Sequence, residues 1–189
     1  MDYQSGLNPL LTSSPTGTAY FRPVPVDWDI RHAPYRTARV AGQGISVHEL
    51  TQLATLPSIT SLHVISDLLS ENWVIAAYNP TGVTIEDVLE AIYKGLHAPL
   101  TPFEWECISL MQRPRIEDVF YARCEASRDF DRTRYGGVRR KDCLLHTTMF
   151  AGLSSLMYRN NRWEVVLTLS RDFGAHGRAR SYPEGQRWG

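Results

Sequence analysis

The pattern of apolar and polar positions is clearest between Asn79 and Leu96, which reads NPTGVTIEDVLEAIYKGL. Asn79-Pro80-Thr81-Gly82 fits a type I turn, with Asn first, Pro supplying a fixed φ second and Gly fourth. Thr84-Ile85-Glu86-Asp87 follows as a capping box, the threonine hydroxyl facing an orphan amide of the first helical turn. Ile85, Val88, Leu89, Ile92, Tyr93 and Leu96 then recur at helical spacing, so this helix is predicted to bury one face. Upstream, Val24, Val26, Trp28 and Ile30 alternate with Pro25, Asp27, Asp29 and Arg31, the period of a half-buried strand. Pro25 has no amide to donate, which puts that strand at a sheet edge or at its own start.

Residues 59–66 and 72–78 read as two strands joined by a short polar loop, an antiparallel pair. Ser46 with Glu49 caps a short helix running to Leu53. Thr101-Pro102-Phe103-Glu104 starts another helix, with Phe103, Trp105, Ile108, Leu110 and Met111 as its apolar positions. Pro114 opens a third, whose inner stripe is Ile116, Val119, Phe120, Tyr121 and Cys124. Met157 to Glu164 reads as a hairpin tip, since Asn160 and Asn161 tolerate the positive φ of a type I′ turn. That register sets Tyr158 against Trp163 and Arg159 against Arg162, leaves Trp163, Val165, Leu167 and Leu169 on one face, and makes Gly152 a bulge or kink. The predicted class is α+β: an antiparallel sheet of about four to six strands with about three helices packed on one face. An N-terminal arm (1–22) carrying Leu7, Leu10 and Leu11, a single domain (23–170) and a flexible tail (171–189) complete the expected organisation.

Composition agrees with one globular domain: 189 residues, 43% apolar and 11% aromatic. Residues 1–17 show neither a basic nor an apolar leader segment, and no apolar run reaches spanning length, so a cytoplasmic protein without membrane partners is expected. Three cysteines without metal spacing read as reduced thiols. The zero net charge hides an uneven layout: residues 1–112 carry 5 basic and 11 acidic side chains, whereas residues 113–141 carry 9 and 5. Arginine supplies nearly all the positive charge, because Lys94 and Lys141 are the only lysines.

That basic segment holds the best binding candidates. Gly136-Gly137 suggests an amide nest, and Arg134, Arg139, Arg140 and Lys141 suit a phosphate or carboxylate. The competing reading pairs these cations with Asp142 and with acids of the neighbouring helices. The absence of Gly-Lys-Ser/Thr excludes a P-loop. Asp27 and Asp29 share a strand face, where paired carboxylates can divide acid and base roles, although solvated acids also protect a sheet edge. Cys143 beside Arg139, Arg140 and Lys141 would have a lowered pKa if exposed, and Asp142 and His146 lie near it in sequence. His97 suits the C-terminal end of its helix as a cation near the dipole. The six histidines have no zinc spacing, so neither metal nor cofactor is expected. A neutral chain with two lysines disfavours nucleic acid. Two functions remain open. One is a non-catalytic binding or adaptor module that recognises a protein or a small anion through the arginine-rich loop. The other is a small cofactor-independent enzyme with an aromatic pocket (Trp73, Tyr78, Tyr93, Trp105) and Asp27, Asp29 or His146 as proton carrier.

Several landmarks recur together: Leu7-Asn8-Pro9-Leu10-Leu11, Val26-Asp27-Trp28-Asp29-Ile30-Arg31, Asn79-Pro80 with Gly82-Val83-Thr84, Pro99-Leu100-Thr101 with Glu104-Trp105, and Gly136-Gly137-Val138-Arg139-Arg140 with Asp142. Spread over roughly residues 7–170, they give the chain a resemblance to a fungal family catalogued as a domain of unknown function, common in mushroom-forming species. The resemblance implies one intracellular domain and carries over no catalytic or ligand residues.

Overall fold

In a computed structural model, residues 6–12 and 26–172 are described. Val24, Pro25, most of the expected arm and nearly all of the expected tail lie outside them. The elements in order are β1 (Gly6–Leu7), α1 (Pro34–Thr37), β2 (Arg39–Val40), β3 (Gln43–Gly44), α2 (Val47–Leu50), β4 (Thr55–Leu56), β5 (Ser61–Ile65), β6 (Ile75–Tyr78), α3 (Ile85–His97), α4 (Pro102–Cys107), α5 (Arg113–Glu125) and α6 (Phe130–Tyr135). A 3-10 helix (Arg140–Leu144) and the strands β7 (Met149–Arg159) and β8 (Arg162–Ser170) follow.

The mixed α and β composition agrees with expectation, but its arrangement is different. The main sheet has four strands in the order β6-β5-β8-β7, and two-stranded ribbons form from β1-β4 and β2-β3. The outer pairs are antiparallel, whereas β5 and β8 run parallel, with Val64 beside Val165. A parallel pair needs a long crossover, and the whole helical segment from α3 to the 3-10 helix supplies it. Among the described residues there are six α-helices, not about three. They do not all cover one sheet face: α3 packs on β6, while α5 packs on α6 and the 3-10 helix. The segment 26–30 is held by isolated bridges, Asp27 to Arg39 and Asp29 to Met149, so it links a ribbon to β7 without forming a continuous strand.

Local signals explain the best-formed parts. The Thr84 hydroxyl accepts from the Asp87 amide at 3.2 Å, and the Asp87 carboxylate accepts from the Thr84 amide at 2.9 Å. Asn79 ties turn to helix by donating to that carboxylate at 2.8 Å. Gly82 sits at φ +118°, and a Cβ there would meet Leu53 Cδ2 at 2.8 Å. All five aliphatic positions expected on the inner face of α3 are buried. A Cβ on Gly95 would come within 2.7 Å of Ile75 Cγ1, so this glycine lets α3 lie close on β6.

The hairpin tip has Asn160 and Asn161 at φ 50° and 62°, with Tyr158 paired to Trp163. Gly152 lies at one of two register shifts in β7. Leu10 and Leu11 are core residues, and residues 6–12 are tied to the body by the Leu153 amide donating to the Leu11 carbonyl at 2.6 Å. Four apolar assignments are corrected, beginning with Phe103, which is exposed on the first turn of α4. Leu110 and Met111 follow the end of α4 and are exposed, and Tyr121 turns outward from α5. Their side chains come too far round the helical surface, or too late in the chain, to reach the core.

Candidate functional site

The last turn of α3, the stripe of Val119, Ala122, Arg123 and Ala126 along α5, and the 3-10 helix meet around a cleft of about 720 Å³, which Arg31 also lines. Its floor is held by Asp142, which is 2% exposed. Arg123 of α5 donates to that carboxylate from Nε at 2.9 Å and from Nη2 at 2.8 Å, and the Arg139 amide donates to it at 2.8 Å. Arg123 also donates to the Gly137 carbonyl at 2.9 Å, tying the preceding turn to α5. One buried carboxylate therefore positions both walls of the cleft.

Three consecutive basic residues separate here. Arg140 points away from the cleft and donates to Glu104 Oε1 at 2.7 Å, with its guanidinium over the Trp73 ring. Glu104 Oε2 meanwhile accepts from the Thr101 amide at 2.7 Å, so the same carboxylate caps α4. Arg139 and Lys141 face the cleft. The Arg139 Nε is buried with no acceptor among the described residues. Arg134 is exposed on the last turn of α6 and makes no ion pair with a described residue. The Gly136 and Gly137 amides both donate to α6 carbonyls, which occupies the amides that a nest would offer.

Lys141 Nζ lies 2.7 Å from His97 Nε2 and 3.4 Å from the Arg31 carbonyl oxygen. His97 Nδ1 lies 2.8 Å from the Tyr93 carbonyl, and Nε2 lies 3.2 Å from the Arg31 carbonyl. The shorter Nδ1 contact and the lysine at 2.7 Å from Nε2 favour the tautomer with its proton on Nδ1, in which Nε2 accepts from Lys141. The Tyr93 ring stacks on His97 with centroids 3.9 Å apart. Burial, then the neighbouring Lys141 cation, pushes the His97 pKa down to about 4. Burial, then Arg123, lowers Lys141 to about 8. Arg139 adds to both effects, as a further positive charge near the pair.

The remaining candidates are dispersed. Asp27 is exposed and makes no ion pair with a described residue. Asp29 is engaged by Arg31, which also donates to Asp172 at 2.6 Å. His146 lines the cleft. The Cys143 pKa is pushed up to about 12, by burial first and Asp142 second, so the exposure on which a lowered value depended is not met. The aromatic side chains do not form a common pocket: Tyr78 is exposed, Trp73 lies under Arg140, Trp105 lies near Arg113, and only Tyr93 reaches the cleft. Among the described residues no group of three or more His, Cys, Asp or Glu is placed to hold a metal. No described helix is long and apolar enough to cross a membrane.

Sequence reasoning missed Arg31, Arg123 and the partnership of His97 with Lys141, residues 44 positions apart. No local spacing encodes that contact. The scarcity of lysine was the one available hint.

A family of unknown function (DUF6699) matches residues 26–163, and the chain belongs to that family. No curated protein and no solved structure matches the chain.

Proposed function

We propose that this DUF6699 member is a binding module that takes a small anionic ligand into the cleft between α3, α5 and the 3-10 helix. Arg139 and Lys141 make the principal contacts in this reading. Its central support is the imbalance within the cleft: Asp142 is fully engaged by Arg123 and a backbone amide, while the buried Arg139 Nε has no acceptor among the described residues. A buried donor without a partner carries a desolvation penalty that an incoming anion would relieve. Arg140, Gly136 and Gly137 build the turn that presents these two cations, and Arg134 lies on the outer rim. The intracellular, fungal setting implied by the sequence resemblance remains part of this reading.

Calorimetric titration with pyrophosphate and with citrate tests it. Arg139→Glu is expected to weaken binding at least tenfold, on the scale of one charge-assisted hydrogen bond, whereas Arg134→Glu leaves it nearly unchanged. Failure of both anions to bind the wild-type protein, or equal effects of the two variants, would overturn the reading.

A further inference from the structure

Lys141 differs from an ordinary phosphate-binding lysine in how its amine is held. The ammonium of such a residue is normally well hydrated or paired with a carboxylate. Here Nζ has a histidine nitrogen at 2.7 Å and a carbonyl oxygen at 3.4 Å, and the nearby Asp142 carboxylate is bound by Arg123. His97 is oriented through Nδ1 on the Tyr93 carbonyl, and its Nε2 lies between the amine at 2.7 Å and the Arg31 carbonyl at 3.2 Å, where it can exchange a proton with the amine. The Tyr93 ring stacked on it limits rotation of the imidazole. Arg123 and Arg139 act on the group as nearby cations, opposed by the carboxylates of Asp142 and Asp29, and the cleft gives a ligand access to it.

We infer that Lys141 captures a small carbonyl compound bearing an anionic group, forming an imine with it. The inference rests on the anion-binding reading above and names the class of ligand. Arg139 would receive the carboxylate or phosphate, bringing the carbonyl carbon to Nζ. In the reaction the neutral amine attacks that carbon, a C–N bond forms, and the C=O π pair moves to oxygen. A proton leaves nitrogen for His97 Nε2 and is returned to the oxygen, giving a carbinolamine. A second proton, drawn from solvent through His97 Nε2, reaches the hydroxyl oxygen. The nitrogen lone pair closes the C=N bond as water departs, and the proton left on the iminium nitrogen returns to solvent. Amine and carbonyl become imine and water, with no change in oxidation state. The pKa of about 8 agrees with this chemistry, because about a tenth of the amine is neutral at pH 7.

The chain carries its own reference, since its only other lysine, Lys94, is exposed and paired with Glu90 on the surface of α3. The wild-type protein is incubated with glyoxylate, with glycolaldehyde phosphate, or with neutral glycolaldehyde, each with cyanoborohydride, and labelling is located by peptide mass spectrometry. Lys141 is expected to be labelled at least tenfold faster than Lys94 by one or both anionic carbonyls, and with much less preference by the neutral one. The two anionic probes distinguish a carboxylate from a phosphate ligand. Arg139→Ala should remove the anionic preference. His97→Ala should slow labelling at Lys141 and change its pH profile while labelling at Lys94 keeps its rate, which separates proton transfer from a purely structural effect. Equal labelling of both lysines, or equal Lys141 selectivity for neutral and anionic probes, overturns the inference. If pyrophosphate still binds in that case, imine formation is rejected and anion binding stands; if it does not, both readings fall.

Discussion

The hairpin tip and the 3-10 helix contain the same elementary unit, two basic side chains flanking one buried carboxylate, with opposite results. At the tip Arg159 and Arg162 lie directly opposite each other, and both donate to Glu164, at 3.1 Å and 2.7 Å. Hydrogen bonds from Arg162 and then Arg159 hold the Glu164 carboxyl below its usual range. The like-charge pair expected across the turn is thus neutralised by the next residue on the inner side. In the 3-10 helix Arg139 and Lys141 flank Asp142, but Arg123 arrives from α5 and takes both carboxylate oxygens. The flanking cations are left facing the cleft. Counting charges along the chain does not distinguish these cases; the third partner does, and it comes from elsewhere in the fold.

The most severe way to break the comparison is Asp142→Ala. It removes the acceptor for Arg123 and for the Arg139 amide and leaves a partly buried cation unpaired. Chemical denaturation is expected to show a loss of about 3–5 kcal/mol. Glu164→Gln should lower the denaturation midpoint by less, because Arg159 and Arg162 are about half exposed and water can replace the carboxylate. Equal losses in the two variants would mean that Asp142 has no special role in joining the walls.

A smaller effect follows from protonation. The His97 pKa is about 4 in the folded protein and near 6.5 when unfolded, so between these values the unfolded chain binds more protons. Stability therefore falls as the pH drops from about 6.5 to about 4. His63 is lowered as well and adds to the same slope. His97→Gln should flatten the part due to His97, read as the difference from wild type in urea midpoints between pH 5 and 6.5. An unchanged slope would show that His97 is freely protonated in the cleft. The smallest effect belongs to the surface pair Glu90–Lys94, whose atoms lie 3.0 Å apart with both side chains largely exposed. Lys94→Gln is expected to change stability by less than about 0.5 kcal/mol and to leave anion affinity unaltered, which makes it the control for every Lys141 variant.

Much of the scaffold was legible because its causes are local. The capping boxes at Ser46, Thr84 and Thr101 each involve residues three apart, and all are formed. The turn at Asn160-Asn161 and the buried stripe of α3 depend only on backbone preference and helical period. Similar reasoning failed for Phe103, Leu110, Met111 and Tyr121, where an apolar residue was credited with a core position that no neighbouring element supplies. The candidate site was legible only in part. Arg139 and Lys141 were recognisable as basic residues near a glycine turn, whereas Arg140 was indistinguishable from them until Glu104 was seen beside it.

The sequence by itself determined where α2, α3, α4 and α5 begin, that the α3 face is buried, and that positive charge gathers between residues 113 and 141. Tertiary structure alone decided that β5 and β8 run parallel, that α5 leaves the sheet to wall a cleft, and which of three adjacent cations face it. The division has a physical reason. Capping, turn and periodicity act over a few residues and can be read in one dimension. The ionisation and orientation of Arg139, Lys141 and His97 depend on burial and on charges brought from distant segments, which exist only once the chain has closed on itself.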